Sequence, residues 1–390
     1  MDRTILQQAF DIEDWSRAHR RYLHRHPEVS LAEKNTSLYC QNVLKELGYV
    51  ITPCWGYGFT ADFIVNPTYP TIAFRADMDA LAMTEHNDHD FISETSGAAH
   101  MCGHDIHMTI ALGTAYLLKQ RKQELKTNIR FVFQPSEESP PGGALGMIEN
   151  GCLDGVDEIY GLHNDPGTTV GHIKTRPGPL MAGGDLFSLT IQGRGGHGAR
   201  PQDTLDPIIA GTQLINQWQS IISRQMNPNY STVLSVTQFQ AGQAFNVIPD
   251  QAFISGTVRT FNETAQNLII NQMQKYLEAL KIQGYDYDFN YQKGYKPVIN
   301  HASGVTKIAQ AAATQLDENQ INTDTEPQGW GEDFCYYLHH CPGAFYFLGS
   351  GNEAKGINQP LHSSQFKADE QCLSYGAAVM TAIALKTQSS

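Results

Sequence analysis

The run RPGPLMAGGD at residues 176–185 separates two different rhythms of strand and helix. Upstream, residues 12–48 read as two helices, the second ending at Gly48, a residue suited to the left-handed turn after a helix. Short β-rich runs then alternate with helical patterns. TIAFRAD (71–77), IRFVFQ (129–134) and EIYGLH (158–163) read as strands; HMTIALGTAYLLKQ (107–120) and ALGMIENG (144–151) read as helices. That alternation predicts a largely parallel sheet covered on both faces. Downstream the order becomes β-α-β-β-α-β. FSLTIQG opens it, followed by a helix with Asp206 as N-cap and Pro207 in its first turn, then strands at 231–240 and 251–261. A long amphipathic stretch at 264–283 and the strand YDYDFNYQ (285–292) complete the ferredoxin-like signature. After YKPVIN the first rhythm resumes, with a helix near 303–316, a strand AFYFLG (344–349) and a helix at 370–386. The chain therefore reads as one α/β domain, residues 1–182 and 298–390, interrupted by a smaller α+β domain at 183–297.

Bulk properties exclude several function classes. A length of 390 residues exceeds one ordinary core, which agrees with two domains. A net charge of -13 with no basic face argues against a nucleic-acid partner. No apolar run approaches the length of a membrane helix, and MDRTILQQAFDIEDW carries acids where a signal peptide carries bases. The seven cysteines (40, 54, 102, 152, 335, 341, 372) are scattered and odd in number, which speaks against a disulfide framework and for a reducing cytoplasm.

In open α/β sheets, sites form beyond the carboxyl ends of the strands. Asp77 and Asp79 follow one strand, Glu137 and Glu138 follow the next, and His163 closes a third. HMCGHDIHM (100–108) directly precedes a helix. Each feature alone has a bland reading: a satisfied structural histidine, a solvated turn, a salt-bridged loop. Their coincidence at one edge of one sheet weakens those readings together. A thiol, imidazoles and carboxylates suit a borderline-soft transition metal, not magnesium or calcium. The Cys-x-His spacing is too tight for a zinc finger, and the chain has no CxxC pair. A catalytic centre fits better, with one of the adjacent glutamates binding metal while its neighbour takes a proton from water.

The ordered series of motifs resembles the M20 metallopeptidase family, in its aminoacylase/amidohydrolase branch of hippurate hydrolases, N-acetyl-diaminopimelate deacetylases and auxin-conjugate hydrolases. It comprises HRHPE (24–28), RADMDAL (75–81), CGHDIH (102–107), FQPSEE (133–138), GLHN (161–164) and GGHGARP (195–201). It continues through FNVIPD (245–250), GTVRTF (256–261), GEDF (331–334), PGAFYFLG (342–349) and LHSSQF (361–366). The resemblance implies a mixed-sheet, zinc-peptidase-like catalytic domain with an inserted ferredoxin-like α+β lid domain. It implies two divalent transition-metal ions (Zn, Mn, Ni or Co) held by Cys102, His104, Glu138, His163 and His362, with the Cys102 thiolate bridging them. Glu137 is implied as general base and later acid, and Asp77 as the second acid of the site. Asp79 competes with Asp77 for the role of orienting a ligand histidine, and spacing does not separate them. By the same resemblance His197 supports the oxyanion, and Asn246 and Arg259 hold a substrate carboxylate. His107 reads as a residue behind the ligands, and His100 flanks them without an assigned role. Ala82, Ser136, Ala199 and Gln202 depart from the usual family motifs, and none of them removes a ligand or Glu137.

The implied reaction is metal-dependent hydrolysis of an N-acyl-L-amino acid, or of a small dipeptide-like amide, to a carboxylate and a free amino acid. A carboxypeptidase or dipeptidase of the same family is the nearest alternative. A phosphatase lacks the basic stretch it needs near the ligands, and a non-catalytic metal- or thiol-sensing protein would have no use for Glu137. The resemblance also implies a homodimer formed through the lid domain.

Overall fold

A computed structural model describes residues 4–386; residues 1–3, which begin the acidic N-terminal stretch, and 387–390 lie outside the described chain. The chain divides into two compact units. One runs to Leu180 and takes up Val298–Pro327 and the residues from Asp333 on; the other comprises Met181–Pro297 and Gln328–Glu332.

The larger unit is built on an eight-stranded mixed sheet. Its order is Val50–Pro53, Phe59–Phe63, Asn128–Gln134, Thr71–Asp77, Glu158–Thr169, Gly343–Gly351, Ile173–Lys174 and Ile321–Asn322. The four long central strands are mutually parallel, as the strand–helix alternation predicted. The outer strands differ: Val50–Pro53 and Phe59–Phe63 pair antiparallel, because the five residues between them are too few for a crossover helix, and Phe59–Phe63 is also antiparallel to Asn128–Gln134. One face packs Ile72, Phe74, Phe131 and Phe133 against helices His104–Gln120 and Cys372–Lys386. On the other side Phe334 packs on Phe345, with ring centroids 4.9 Å apart. The central strands are therefore apolar on both faces, which explains their unbroken hydrophobic runs. Gly48 has φ +89°, and the N–H of Tyr49 reaches back to the Leu44 carbonyl (3.0 Å), closing the helix Lys34–Glu46 as its sequence predicted.

The register sets the site. Asp77 lies beside Gln134, and Arg75 lies beside Gly161, so the carboxyl ends of three parallel strands come level. Just below that edge Arg75 is fully buried. Its Nε donates to Gln134 Oε1 (2.9 Å), its Nη1 to Asp77 and its Nη2 to Asp333 Oδ1 (2.7 Å). Gln134 in turn donates to Asp333 Oδ2 (2.7 Å). This knot ties two strands to a segment more than 250 residues further on, with each buried charge paired and hydrogen-bonded.

The second unit has an antiparallel four-stranded sheet in the order Thr232–Ala241, Gln251–Thr260, Gly183–Gln192, Asp286–Gln292. Numbered along the chain, that is the 2-3-1-4 order of a ferredoxin-like fold. Its helices Pro207–Ser220 and Glu263–Ile282 are capped by Asp206, which accepts from Ile208 N (2.9 Å), and by Asn262, which accepts from Ala265 N (2.8 Å). Trp218 is fully buried and meets Phe187 edge-on at 5.3 Å.

Replacing Arg75 by Met leaves Asp77 and Asp333 buried without their cation. The expected outcome is a loss of about 3–5 kcal/mol in the stability of the larger unit, read from urea unfolding.

Candidate metal centre

The site is assembled around Gly103. It has φ +89° and stands immediately before the helix His104–Gln120. A Cβ at this position would lie 2.2 Å from Asn164 Nδ2, which donates to the Cys102 carbonyl at 2.7 Å. A glycine is thus required between Cys102 and His104, and it turns both side chains into the same space.

Cys102 Sγ lies 3.4 Å from His163 Nε2 and 3.3 Å from His362 Nε2. His362 Nε2 is also 3.3 Å from Glu138 Oε1, and His104 Nε2 is 3.8 Å from that same oxygen. Two groups of donor atoms result, Cys102–His104–His163 and Cys102–Glu138–His362, and Cys102 belongs to both. Of these residues His362 is the exposed one, so the cluster opens to solvent on its side. Three non-glycine residues among the described chain have positive φ: Leu31 (64°), Ser136 (58°) and His362 (63°). One is a member of the cluster and another directly precedes Glu137–Glu138, so backbone strain is concentrated where chemistry is expected.

Hydrogen bonds on the far side of each ring fix which nitrogen faces the cluster. His163 Nδ1 donates to the Asn164 carbonyl (2.8 Å), and His104 Nδ1 donates to the Asp79 carbonyl (2.8 Å), leaving both Nε2 atoms inward. His107 is different. Its Nε2 accepts from the backbone N–H of Asn164 (2.9 Å) and its Nδ1 donates to Asp77 (2.7 Å), so neither nitrogen is spare. His100 is buried with no hydrogen-bond partner on either nitrogen, and burial lowers its pKa to about 4, so it is neutral.

The two aspartates divide the orienting work. Asp77 braces His107 and pairs with Arg75. The Asp79 carboxylate accepts from the backbone N–H groups of Glu137 (3.0 Å) and Glu138 (2.9 Å), while its carbonyl holds His104. Sequence reasoning passed over Asn164 and Arg75 as site residues, although both stand in the quoted motifs. What marks them is contact in space, which spacing does not carry.

The electrostatics ask for a cation. Burial opposes a charge on His104, but Asp77, Asp79 and Glu138 outweigh it and raise its pKa to about 10. Burial, then the charges of Glu138 and Glu137, push the Cys102 thiol well above the usual thiol range. Burial and neighbouring His107 hold His163 well below the usual imidazole value. His104 Nε2 and Glu138 Oε1 are both buried without a hydrogen-bond partner. Soft sulfur, two inward imidazole nitrogens and an unpartnered carboxylate oxygen fit divalent transition metals.

His197, Asn246 and Arg259 belong to the inserted unit. His197 is exposed on the short strand Gly196–His197, which pairs with Val247–Ile248, and Gly198 N donates to the Asn246 carbonyl at 2.8 Å. Arg259 lies across from Gly184, where a Cβ would meet its Nη1 at 1.7 Å, and its side chain has no hydrogen bond or ion pair among the described residues.

The profile of peptidase family M20/M25/M40 matches residues 73–386. The chain belongs to this family. It is 38% identical over 356 residues to the N-acetyl-L-cysteine deacetylase of Bacillus subtilis, covering 91% of this chain and 83% of that one. It is 36% identical over 384 residues to thermostable carboxypeptidase 1 of Saccharolobus solfataricus, covering 96% of each. The crystal structure of Bacillus subtilis YxeP, a dinuclear metal-binding peptidase of the M20 family, superposes with a TM-score of 0.82 at 34% identity, covering 96% of this chain and 98% of that one. The fold is therefore that of M20 peptidases, the chain is a metal-dependent hydrolase of the amidohydrolase branch, and two divalent ions are the cofactors its donor groups support.

Because the Cys102 thiol is pushed up and His104 is raised to about 10, an ion taken up by these two side chains would displace a proton from each. Titration calorimetry with zinc in buffers of different ionisation heat should show release of about two protons, with apparent affinity rising as pH rises.

Proposed function

We propose that this chain hydrolyses the amide bond of N-acyl-L-amino acids, releasing a carboxylate and a free amino acid. The observation that carries this reading is the pairing of Glu137 with the cluster: it is adjacent to Glu138 on a turn whose N–H groups Asp79 holds. In this assignment Cys102, His104, Glu138, His163 and His362 would hold two zinc, manganese, nickel or cobalt ions. When bound, such ions polarise a carbonyl oxygen and lower the pKa of water. Glu137 takes the proton from the attacking water, then delivers it to the nitrogen of the leaving amine as the carbon–nitrogen bond breaks. Asp77 acts through His107, holding that ring against Asn164 behind the ligands.

His197 is assigned to the developing oxyanion, where a donor present before reaction is most effective. Asn246 and Arg259 are assigned to the substrate's carboxylate, a role favoured by the unpaired guanidinium of Arg259 beside Gly184. The deacetylase relative supports an acetylated amino acid as substrate. The carboxypeptidase relative supports a second reading in which the acyl group is itself an aminoacyl or peptidyl group, since both substrates present an amide beside a free carboxylate. Among the described residues no helix is long and apolar enough to cross a membrane. A cytoplasmic location and a homodimer built through the inserted unit complete the proposal.

Glu137→Gln should lower kcat about 10²–10⁴-fold while metal content, measured by mass spectrometry of the purified protein, stays unchanged. Wild-type kcat in that variant would remove Glu137 from the mechanism. Arg259→Ala should lower kcat/KM for acetyl-amino acids about 10–100-fold, chiefly through KM, and have little effect on the corresponding amino-acid amides, which lack the carboxylate.

A further inference from the structure

We propose that Glu33 is a positioning residue for the catalytic turn: its buried carboxylate holds Ser136 in a strained conformation and thereby aims Glu137 and Glu138. The inference rests on the assignment of those two glutamates as base and ligand.

Three successive N–H groups of the turn are caught by just two carboxylates. Ser136 N donates to Glu33 Oε1 (2.8 Å), Glu137 N to Asp79 Oδ1 (3.0 Å) and Glu138 N to Asp79 Oδ2 (2.9 Å). Consecutive N–H groups of this kind form a concave anion-binding nest. The same Glu33 oxygen accepts from Leu31 N at 2.9 Å. Leu31 and Ser136 are two of the three positive-φ non-glycine residues in the described chain, so one oxygen anchors both strained positions. Such conformations persist only where the surroundings over-determine them.

The segment before the helix Lys34–Glu46 reaches both halves of the nest. Ser30 Oγ donates to Asp79 Oδ2 (2.6 Å), and Ala80 N donates to the Glu28 carbonyl (2.8 Å). Residues 28–33 thus brace the loop carrying Asp79 and, through Glu33, the loop carrying Glu137. Fold stability alone is a poor account of Glu33. It is fully buried, its Oε2 has no partner, and burial raises its pKa to about 7. An apolar residue would fill the same space without burying an unpaired oxygen. What an apolar residue lacks is the acceptor for Ser136 N.

The test compares Glu33→Ala and Glu33→Gln in the full chain loaded with zinc. Four quantities are measured: kcat and KM on an N-acetyl-amino acid, zinc affinity against a chromophoric chelator, and melting temperature. Glu33→Ala should lower kcat or zinc affinity about 10–100-fold with KM within about threefold, and Glu33→Gln, which keeps the Oε1 acceptor, should stay within about threefold of wild type in both. Should Glu33→Ala fail to fold, Glu33→Asp replaces it, keeping the charge while withdrawing the oxygen. The proposal is overturned if the Ala or Asp variant matches wild type in kcat and zinc affinity whatever its melting temperature, or if Gln is as impaired as Ala. A wild-type protein inactive on every acyl-amino acid counts against the proposed reaction instead, and zinc affinity still decides the role of Glu33.

Discussion

An excess of buried negative charge at one edge of the central sheet organises this molecule. Asp77, Asp79, Glu137 and Glu138 converge on His104 and Cys102, and Arg75 neutralises only the deep side of the group. A buried charge is tolerated when paired or hydrogen-bonded. On the deep side the pairing is internal, through Arg75, His107 and the N–H groups of the Glu137–Glu138 turn. On the open side sulfur, imidazole nitrogens and an unpartnered oxygen remain, and in the proposed assignment divalent ions would supply the missing charge. The same carboxylates that leave this charge unmatched raise the pKa of His104 to about 10.

The fold serves this arrangement from distant parts of the chain. Parallel register brings three strand ends level; a glycine with positive φ turns Cys102 and His104 the same way; positive φ at Ser136 and His362 aims the remaining groups. His362 is tied back to the cluster by its own N–H, which donates to the Met101 carbonyl at 2.9 Å. A rigid scaffold carrying strained functional loops holds a reactive geometry without reorganisation during the reaction.

Much of this was legible in the sequence. The buried parallel strands announce themselves as unbroken apolar runs, and acids or histidine at their carboxyl ends mark the site before any coordinates. The helix cap Asp206 and the close at Gly48 follow from local chemistry alone. Other parts leave no local trace. The pairing of Ile173–Lys174 with Ile321–Asn322 involves two residues a strand, too few for any period to show. The Arg75–Asp333 ion pair and the Glu33–Ser136 hydrogen bond join residues far apart in the chain. No motif singles out Glu33, and only its position against Ser136 gives it significance. Whether Asp77 or Asp79 orients a ligand histidine was open for the same reason: two residues apart on an extended segment, they differ in what they touch, not in pattern.

The central claim is that Cys102 is shared by two metal ions. Anomalous diffraction from crystals grown with zinc tests it directly. The account predicts two peaks roughly 3.5–4 Å apart, each about 2.3 Å from Cys102 Sγ. A single peak, or peaks remote from Cys102, would contradict it. The sharpest contradiction would be occupancy of the other His-rich group in the same unit, where His24 Nε2 and His89 Nε2 lie 3.2 and 3.0 Å from Glu85, with the Cys102 cluster left empty.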